Sequence, residues 1–383
     1  MQTRMTLRVL LMLVAMWMST QTSSHAQERR QAAARPGRPA PPNMPGDFTF
    51  IPKADLEVLM GPTRGDRPAR VVNIGNANLG AYILHYPVMK NTLPANSLYH
   101  AEISELYYVI RGEGTALLGG ELENPRWNDP NSTTTKEITG PTVSGTMKGY
   151  KTQKWSAGDV IIVPAGVPHM IGFEVTLPND ILRIAFDPNK ALKLVPNHDA
   201  SIARLRAEGQ AQGQTQAAAA PGKPAPSNTP GTFTFISKAD LEALMKGNIA
   251  DTPARVVNIP NNSNLGAFVL HIEPRKPTPG APVTSFYHSE ISELYYVVRG
   301  AGTVLIGGEL ENATWDDSNS ASIRQVRGPS VNGTMKNPQS VKFTAGDIFI
   351  VRAGVPHSFT YEIAERTDIV RAVVDPKGSL ELK

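Results

Sequence analysis

The sequence predicts an all-β protein built from two tandem barrel or sandwich domains, with short helices at their periphery. Two observations predict it. A long segment occurs twice, and each copy is dominated by short apolar runs rich in branched and aromatic residues. "GAYILHY", "ELYYVIRG", "TALLGG", "DVIIVPAG" and "ILRIAF" are such runs in the first copy, and Gly, Pro and Asn punctuate them. Many short strands separated by glycine turns close into sandwiches or barrels.

The duplication sets the domain limits. Gln31–Met60 matches Gln216–Met245 at an offset of 185, and after small length changes His100 meets His288 and His169 meets His357 at an offset of 188. Even the linker is copied, so one whole unit was duplicated in tandem. A chain of 383 residues gives each copy enough length to bury a core of its own. Solenoids stack shorter repeats and need more of them. The expected units are 47–197 and 232–383.

The flanking segments read differently. Arg4 and Arg8 precede the apolar run "VLLMLVAMWM", which is short for a bilayer span of roughly 20 residues. Small residues at Ser24 and Ala26 suit peptidase cleavage, so 1–26 reads as a secretory signal and the mature protein is expected in the periplasm. Residues 27–46 and the Ala/Pro/Gly/Gln tract within 198–231 read as a flexible arm and a linker. Two short helices are expected. "SKADLEALM" opens with Ser237 and places Asp240 three residues on, and "DASIARLRAEG" (Asp199 to Gly209) has helical apolar spacing.

Charge and cysteine content narrow the function. The formal charge is +4, but Arg4 and Arg8 lie in the signal, and 27–46 holds four arginines against Glu28. The basicity sits in the arm, which excludes nucleic acid as the main partner. There are no cysteines, hence no disulfides, thiolate metal sites or lipidated cysteine anchors. Any metal must rest on histidine and carboxylate.

Eight histidines are present, and six form pairs at matching positions: His85 with His271, His100 with His288, His169 with His357. Glu105 begins the strand "ELYYVIRG", where Glu105, Tyr107 and Val109 share a face because strand side chains alternate. His169 closes "AGDVIIVPAGVPH", where a strand runs into a Gly/Pro turn. An imidazole–carboxylate–imidazole set suits a divalent transition metal such as Mn, Fe, Ni, Cu or Zn. One ion per unit is expected, on His100, Glu105 and His169 and on His288, Glu293 and His357.

These motifs resemble those of the cupin superfamily. The family's first motif, G-x5-H-x-H-x3,4-E-x6-G, falls on His100, Glu105 and Gly112, and on His288, Glu293 and Gly300. Its second, G-x5-P-x-G-x2-H-x3-N, falls on Gly158, Pro164, Gly166 and His169, and on Gly346, Gly354 and His357. The resemblance covers both halves and implies two jelly-roll barrels, each of a kind that usually holds one metal. There are departures. Leu98 and Phe286 replace the first histidine, Arg352 replaces the proline in the second half, and Phe173 and Tyr361 replace the asparagine. The four-ligand site of germins and oxalate decarboxylases is therefore not reproduced.

Three donors per unit resemble the facial set of non-haem iron oxygenases. His85 and His271 are candidate fourth ligands, and Glu102 and Glu290 are candidate ligands or proton carriers. Tyr107 and Tyr295, on the glutamate's face, are candidates for substrate binding. Arg111 and Arg299 are candidates for clamping a carboxylate, as are Arg183 and Arg371, for which a salt bridge to Asp187 or Asp375 is the plainer expectation. The near-identical motifs predict two equivalent centres. The functional expectation is an exported, metal-dependent oxidoreductase of dioxygenase type, or a decarboxylase, acting on a small organic acid or aromatic. A non-catalytic ligand-binding or metal-stabilised structural protein is the alternative. A small-molecule ligand is expected and a stable membrane anchor is not, while self-association is left open.

Overall fold

The computed structural model describes residues 48–61, 63–211, 225, 232–246 and 249–383. The signal, the arm and most of the linker lie outside the described residues. Among the described residues, no helix is long and apolar enough to cross a membrane.

Two large antiparallel sheets dominate, and each curls around its own interior. In the first, strand Ser104–Leu118 pairs with His169–Asp187, which also pairs with Asn78–Tyr86 and Asn96–His100. The second repeats this with Ser292–Ile306, His357–Asp375, Ser263–Ile272 and Thr284–His288. The chain is thus all-β, with two tandem barrels and few short helices.

Alternation explains why the strands carry unbroken apolar runs. Tyr107, Val109, Ile161, Val163 and Ile181 cluster inside the first barrel. Their neighbours Leu106, Tyr108, Val160, Ile162 and Leu182 face the opposite way, into a second core shared with Leu294, Tyr296, Ile348, Ile350 and Val370 of the other unit. A strand buried on both faces gains from an apolar residue at every position. Tyr108 and Tyr296 meet across the shared core with ring centroids 5.3 Å apart.

The units also exchange their leading strands. Phe48–Ile51 pairs with Ile348–Val351 of the second unit, and Thr234–Ile236 pairs with Val160–Val163 of the first. Each exchanged strand runs into a short helix, α1 (Lys53–Glu57) or the later Lys238–Leu244, whose first amide is bonded by an aspartate of the other unit. Lys53 N donates to Asp347 Oδ1 and Lys238 N to Asp159 Oδ1, each at 2.7 Å. Helix N-termini leave such amides without internal partners. The Ser237–Asp240 capping box expected from the sequence is formed. Asp159→Ala removes the Lys238 bond and two bonds to Ser156. It is expected to cost about 1–2 kcal/mol in urea unfolding, and a loss below measurement error would contradict this role.

A longer helix, α2 (His198–Ala211), continues two residues past Gly209. Gly112, which closes the first motif, is required for a steric reason. Its φ is +92°, and an added Cβ would lie 2.5 Å from Pro178 O.

Candidate metal centre

Each site is assembled from three strand ends and one turn. His100 closes the strand Asn96–His100, and Glu105 opens Ser104–Leu118. His169 follows the turn of the second motif. That turn is tied to the first motif by Gly166 N donating to His100 O at 2.7 Å and Ala165 N donating to Ser104 Oγ at 3.0 Å. The second unit repeats both bonds through Gly354 N to His288 O and Ala353 N to Ser292 Oγ. Arg352, standing where the first unit has Pro164, keeps the turn: Val355 N donates to its carbonyl at 3.2 Å, as Val167 N does to Pro164 O.

These ties bring one ligand atom from each of His100, Glu105 and His169 within 4.8 Å of one another, all buried, and the same holds for His288, Glu293 and His357. His100 Nε2 lies 3.3 Å from Glu105 Oε1, and His169 Nε2 lies 3.2 Å from Oε2. In the second unit both imidazole Nε2 atoms lie 3.3 Å from Glu293 Oε2.

The partners on the far side of each ring fix the tautomers. Val167 O can only accept, so His169 Nδ1, 2.9 Å away, carries the proton. Thr142 Oγ1 donates to Gly140 O at 2.9 Å, so it accepts from His100 Nδ1 at 3.0 Å. Ser330 and Val355 do the same for His288 and His357. In the neutral ring each Nε2 then offers a lone pair toward the carboxylate. Burial pushes His100 down to about 4, so its ring stays neutral. Burial alone would raise Glu105, but the Arg183 guanidinium bonded to it holds the carboxyl well below the usual carboxylate range. Three donor atoms converge, the two Nε2 atoms and the carboxylate, with the ring protons placed on Nδ1 facing away, and His288 Nε2 is buried without a hydrogen-bond partner. That donor set fits a divalent cation, with the Nδ1 bonds orienting the rings from behind.

Two further side chains complete each site. Tyr107 donates to Glu105 Oε2 at 2.5 Å and lies 3.3 Å from His169 Nε2; Tyr295 lies 2.6 Å from Glu293 Oε2 and 3.1 Å from His357 Nε2. Burial, then the nearby carboxylate, keeps both phenols protonated. Arg183 Nη1 donates to Glu105 Oε1 at 2.6 Å, its Nη2 reaches Ile138 O, and its Nε lies 3.0 Å from Asp66 Oδ2. Its guanidinium lies over the Tyr82 ring. Arg371 likewise joins Glu293 to Asp251, over Phe268.

Several expected placements differ. Arg183 does not meet Asp187, because four residues along a strand span about 13 Å. Asp187 instead accepts from Ala191 and Leu192 amides, and Asp375 accepts from Ser379 and Leu380. His85 and His271 stand outside the three-donor groups. Leu84 joins the barrel interior, so His85 turns to the other face and meets Asp180 at 2.8 Å. His271 meets Asp368 in the same way. Arg111 and Arg299 pair with those aspartates and are not free to clamp a ligand. Glu102 and Glu290 follow the histidine strand in a bend, where Asn189 and Lys377 hold them apart from the donors. Asp66, Asp251, Thr142 and Ser330 escaped the sequence reading. The hydroxyl kept in "GPT" and "GPS" was the available signal for the last two.

No family model matches the chain, and no curated protein matches it. Among solved structures, it is similar to a salicylate 1,2-dioxygenase from Pseudaminobacter salicylatoxidans. That match has 14% identity over 90% of this chain and 87% of the other, with a TM-score of 0.43. An oxalate decarboxylase from Lactobacillus farciminis in complex with formate matches at 14% identity over 90% and 88%, TM-score 0.42. A cupin 2 conserved barrel domain protein from Leptotrichia buccalis matches at 10% over 87% and 97%, TM-score 0.38.

Proposed function

We propose that this chain, a tandem cupin fold, is a metal-dependent enzyme acting on a small organic acid or aromatic, by decarboxylase or dioxygenase chemistry. The observation that carries the reading is the convergence of two imidazole Nε2 atoms and one buried carboxylate in each barrel. His100, Glu105 and His169 would hold one divalent transition metal, and His288, Glu293 and His357 a second. Such an ion supplies Lewis-acid polarisation of a bound carboxylate or enolate.

The chain's own residues supply the rest. Arg183 balances the buried carboxylate and fixes its rotamer. Tyr107 holds a proton on its hydroxyl beside Glu105 and His169, where it can bond an oxygen of a bound substrate. Val109, Ile161, Val163 and Ile171 wall the interior with apolar surface and keep bulk water out. Export through residues 1–26 belongs to the same proposal, and the N-terminal sequence of the mature protein checks it.

The test is metal content. The purified protein is expected to hold close to two divalent transition-metal ions per chain, one in His100→Ala, one in His288→Ala, and none in the double variant. Oxygen uptake and carbon dioxide release over a panel of small acids then separate the two chemistries. A second reading is favoured by the Arg183–Glu105 pair, which already neutralises the carboxylate: two metal-free structural barrels. Metal content near zero in the unmutated protein selects it.

A purified chain with both Tyr107→Phe and Tyr295→Phe is expected to keep its metal and lose at least tenfold in turnover, because the proton donor goes from each centre while the three ligands stay. Unchanged turnover would remove the tyrosine from the chemistry.

A further inference from the structure

The two centres carry the same donors but different side chains beside them. Leu98 and Phe286 hold equivalent places: each pairs in register with the second-motif histidine and lies two residues before the first-motif one. Paired residues and residues two apart project from the same face of a sheet. Both side chains therefore stand next to the imidazoles, at the place of the first histidine of the first motif.

In the second unit a phenyl ring fills that place. The Phe286 centroid is 5.1 Å from His288 and 5.1 Å from His357, and those two rings are 5.3 Å apart. The three rings form a nearly equilateral triangle. Arg327 places its guanidinium 4.1 Å from the Phe286 centroid, and Asp316 lies 4.0 Å from Arg327 Nη1. Asn332 donates to that aspartate. A cation over an aromatic face adds attraction to the packing, so the ring is held from outside as well as by its neighbours. Deeper in, Phe359 stacks on Tyr295 at 4.0 Å.

The first unit has Leu98, Thr139, Asn128, Ser144 and Ile171 at the places of Phe286, Arg327, Asp316, Asn332 and Phe359. All five are uncharged, and all but Asn128 are shorter. Thr139 turns its hydroxyl to Thr134 O and Gly140 O, and Ser144 donates to Asn128 at 2.7 Å. The aromatic wedge and the ion pair behind it belong to the second unit alone.

We propose that the centres are unequal, so that a small anion of the carboxylate or azide type reaches the donors of the first unit but is shut out of the second by Phe286, clamped by Arg327. This rests on the metal-binding reading. It makes the first barrel the site of turnover and gives the second ion a role in holding its barrel together. Phe286 and Arg327 decide accessibility without altering the donor set.

The test uses the full chain loaded with cobalt(II), with cobalt content measured and azide titrated while the visible spectrum is recorded. Two cobalt ions per chain are expected, with azide changing the spectrum of one. His288→Ala, which keeps the first centre, should retain the full azide response. His100→Ala, which keeps the second, should retain one cobalt and give no response. Adding Phe286→Leu to His100→Ala should restore a saturable response of about the original amplitude. Azide binding to the cobalt left in His100→Ala would overturn the proposal, as would a silent His100→Ala/Phe286→Leu variant still holding cobalt. Failure to take up any cobalt would overturn the metal-binding reading and this proposal together, whereas two cobalt ions with equal azide responses would overturn this one alone.

Discussion

Arg183→Leu is expected to destabilise the metal-free protein by about 3–5 kcal/mol, because it leaves Glu105 charged, buried and without its counter-ion. Arg183 and Glu105 are both fully enclosed and bonded at 2.6 Å, so water cannot replace the lost partner. Arg371→Leu should act the same way on Glu293. Urea unfolding with a chelator present measures both. Combining Arg183→Leu with Glu105→Gln should recover a large part of the loss, since no buried charge then remains unpaired. A cost below about 1 kcal/mol for the single change would mean that the carboxylate is compensated by something other than the arginine.

Separating the two units is expected to have the second large effect. With Thr234–Ile236 removed, Val160–Val163 becomes an open sheet edge, and the shared core loses its opposite wall. Exposed edges and broad apolar faces recruit other chains. Residues 47–197 made alone should be recovered as aggregates or as a dimer, with no stable monomer on size exclusion. A protease site introduced within residues 212–224 should give the opposite result. After cleavage the halves should co-elute at the size of the intact chain, because each still carries a strand of the other's sheet. A stable monomeric half would refute the exchange.

Much of this was legible in the residues, and particular elements show why. Glu105 and Tyr107 share a face by strand alternation alone, and the Gly/Pro turn before His169 marked where a ring would be presented. The all-β character followed from short branched runs. The strand exchange was not legible, because "FTFI" stands at both 48–51 and 233–236. Identical side chains fit either sheet edge, so pairing is decided by how the chain connects.

His85 is the instructive miss. It ends a strand close to the metal motif, yet its neighbour Leu84 already claims the interior, and a one-residue step reverses the direction of a side chain. The same rule would have set Arg183 on the face of Glu105 and Tyr107, opposite which it lies in register with Tyr107. Asp66 could not be anticipated, since its meeting with Arg183 joins positions 117 residues apart.

The crossed leading strands carry an implication for ancestry. A solitary unit carries one such leading strand, and in the crossed arrangement it would have lent that strand to a second molecule and borrowed the partner's in return. Fusing the genes made that loan permanent by tethering lender and borrower at high effective concentration. Once the partners were covalently joined, the two cavities no longer had to mutate together, and one could drift toward a sealed form while the other stayed accessible.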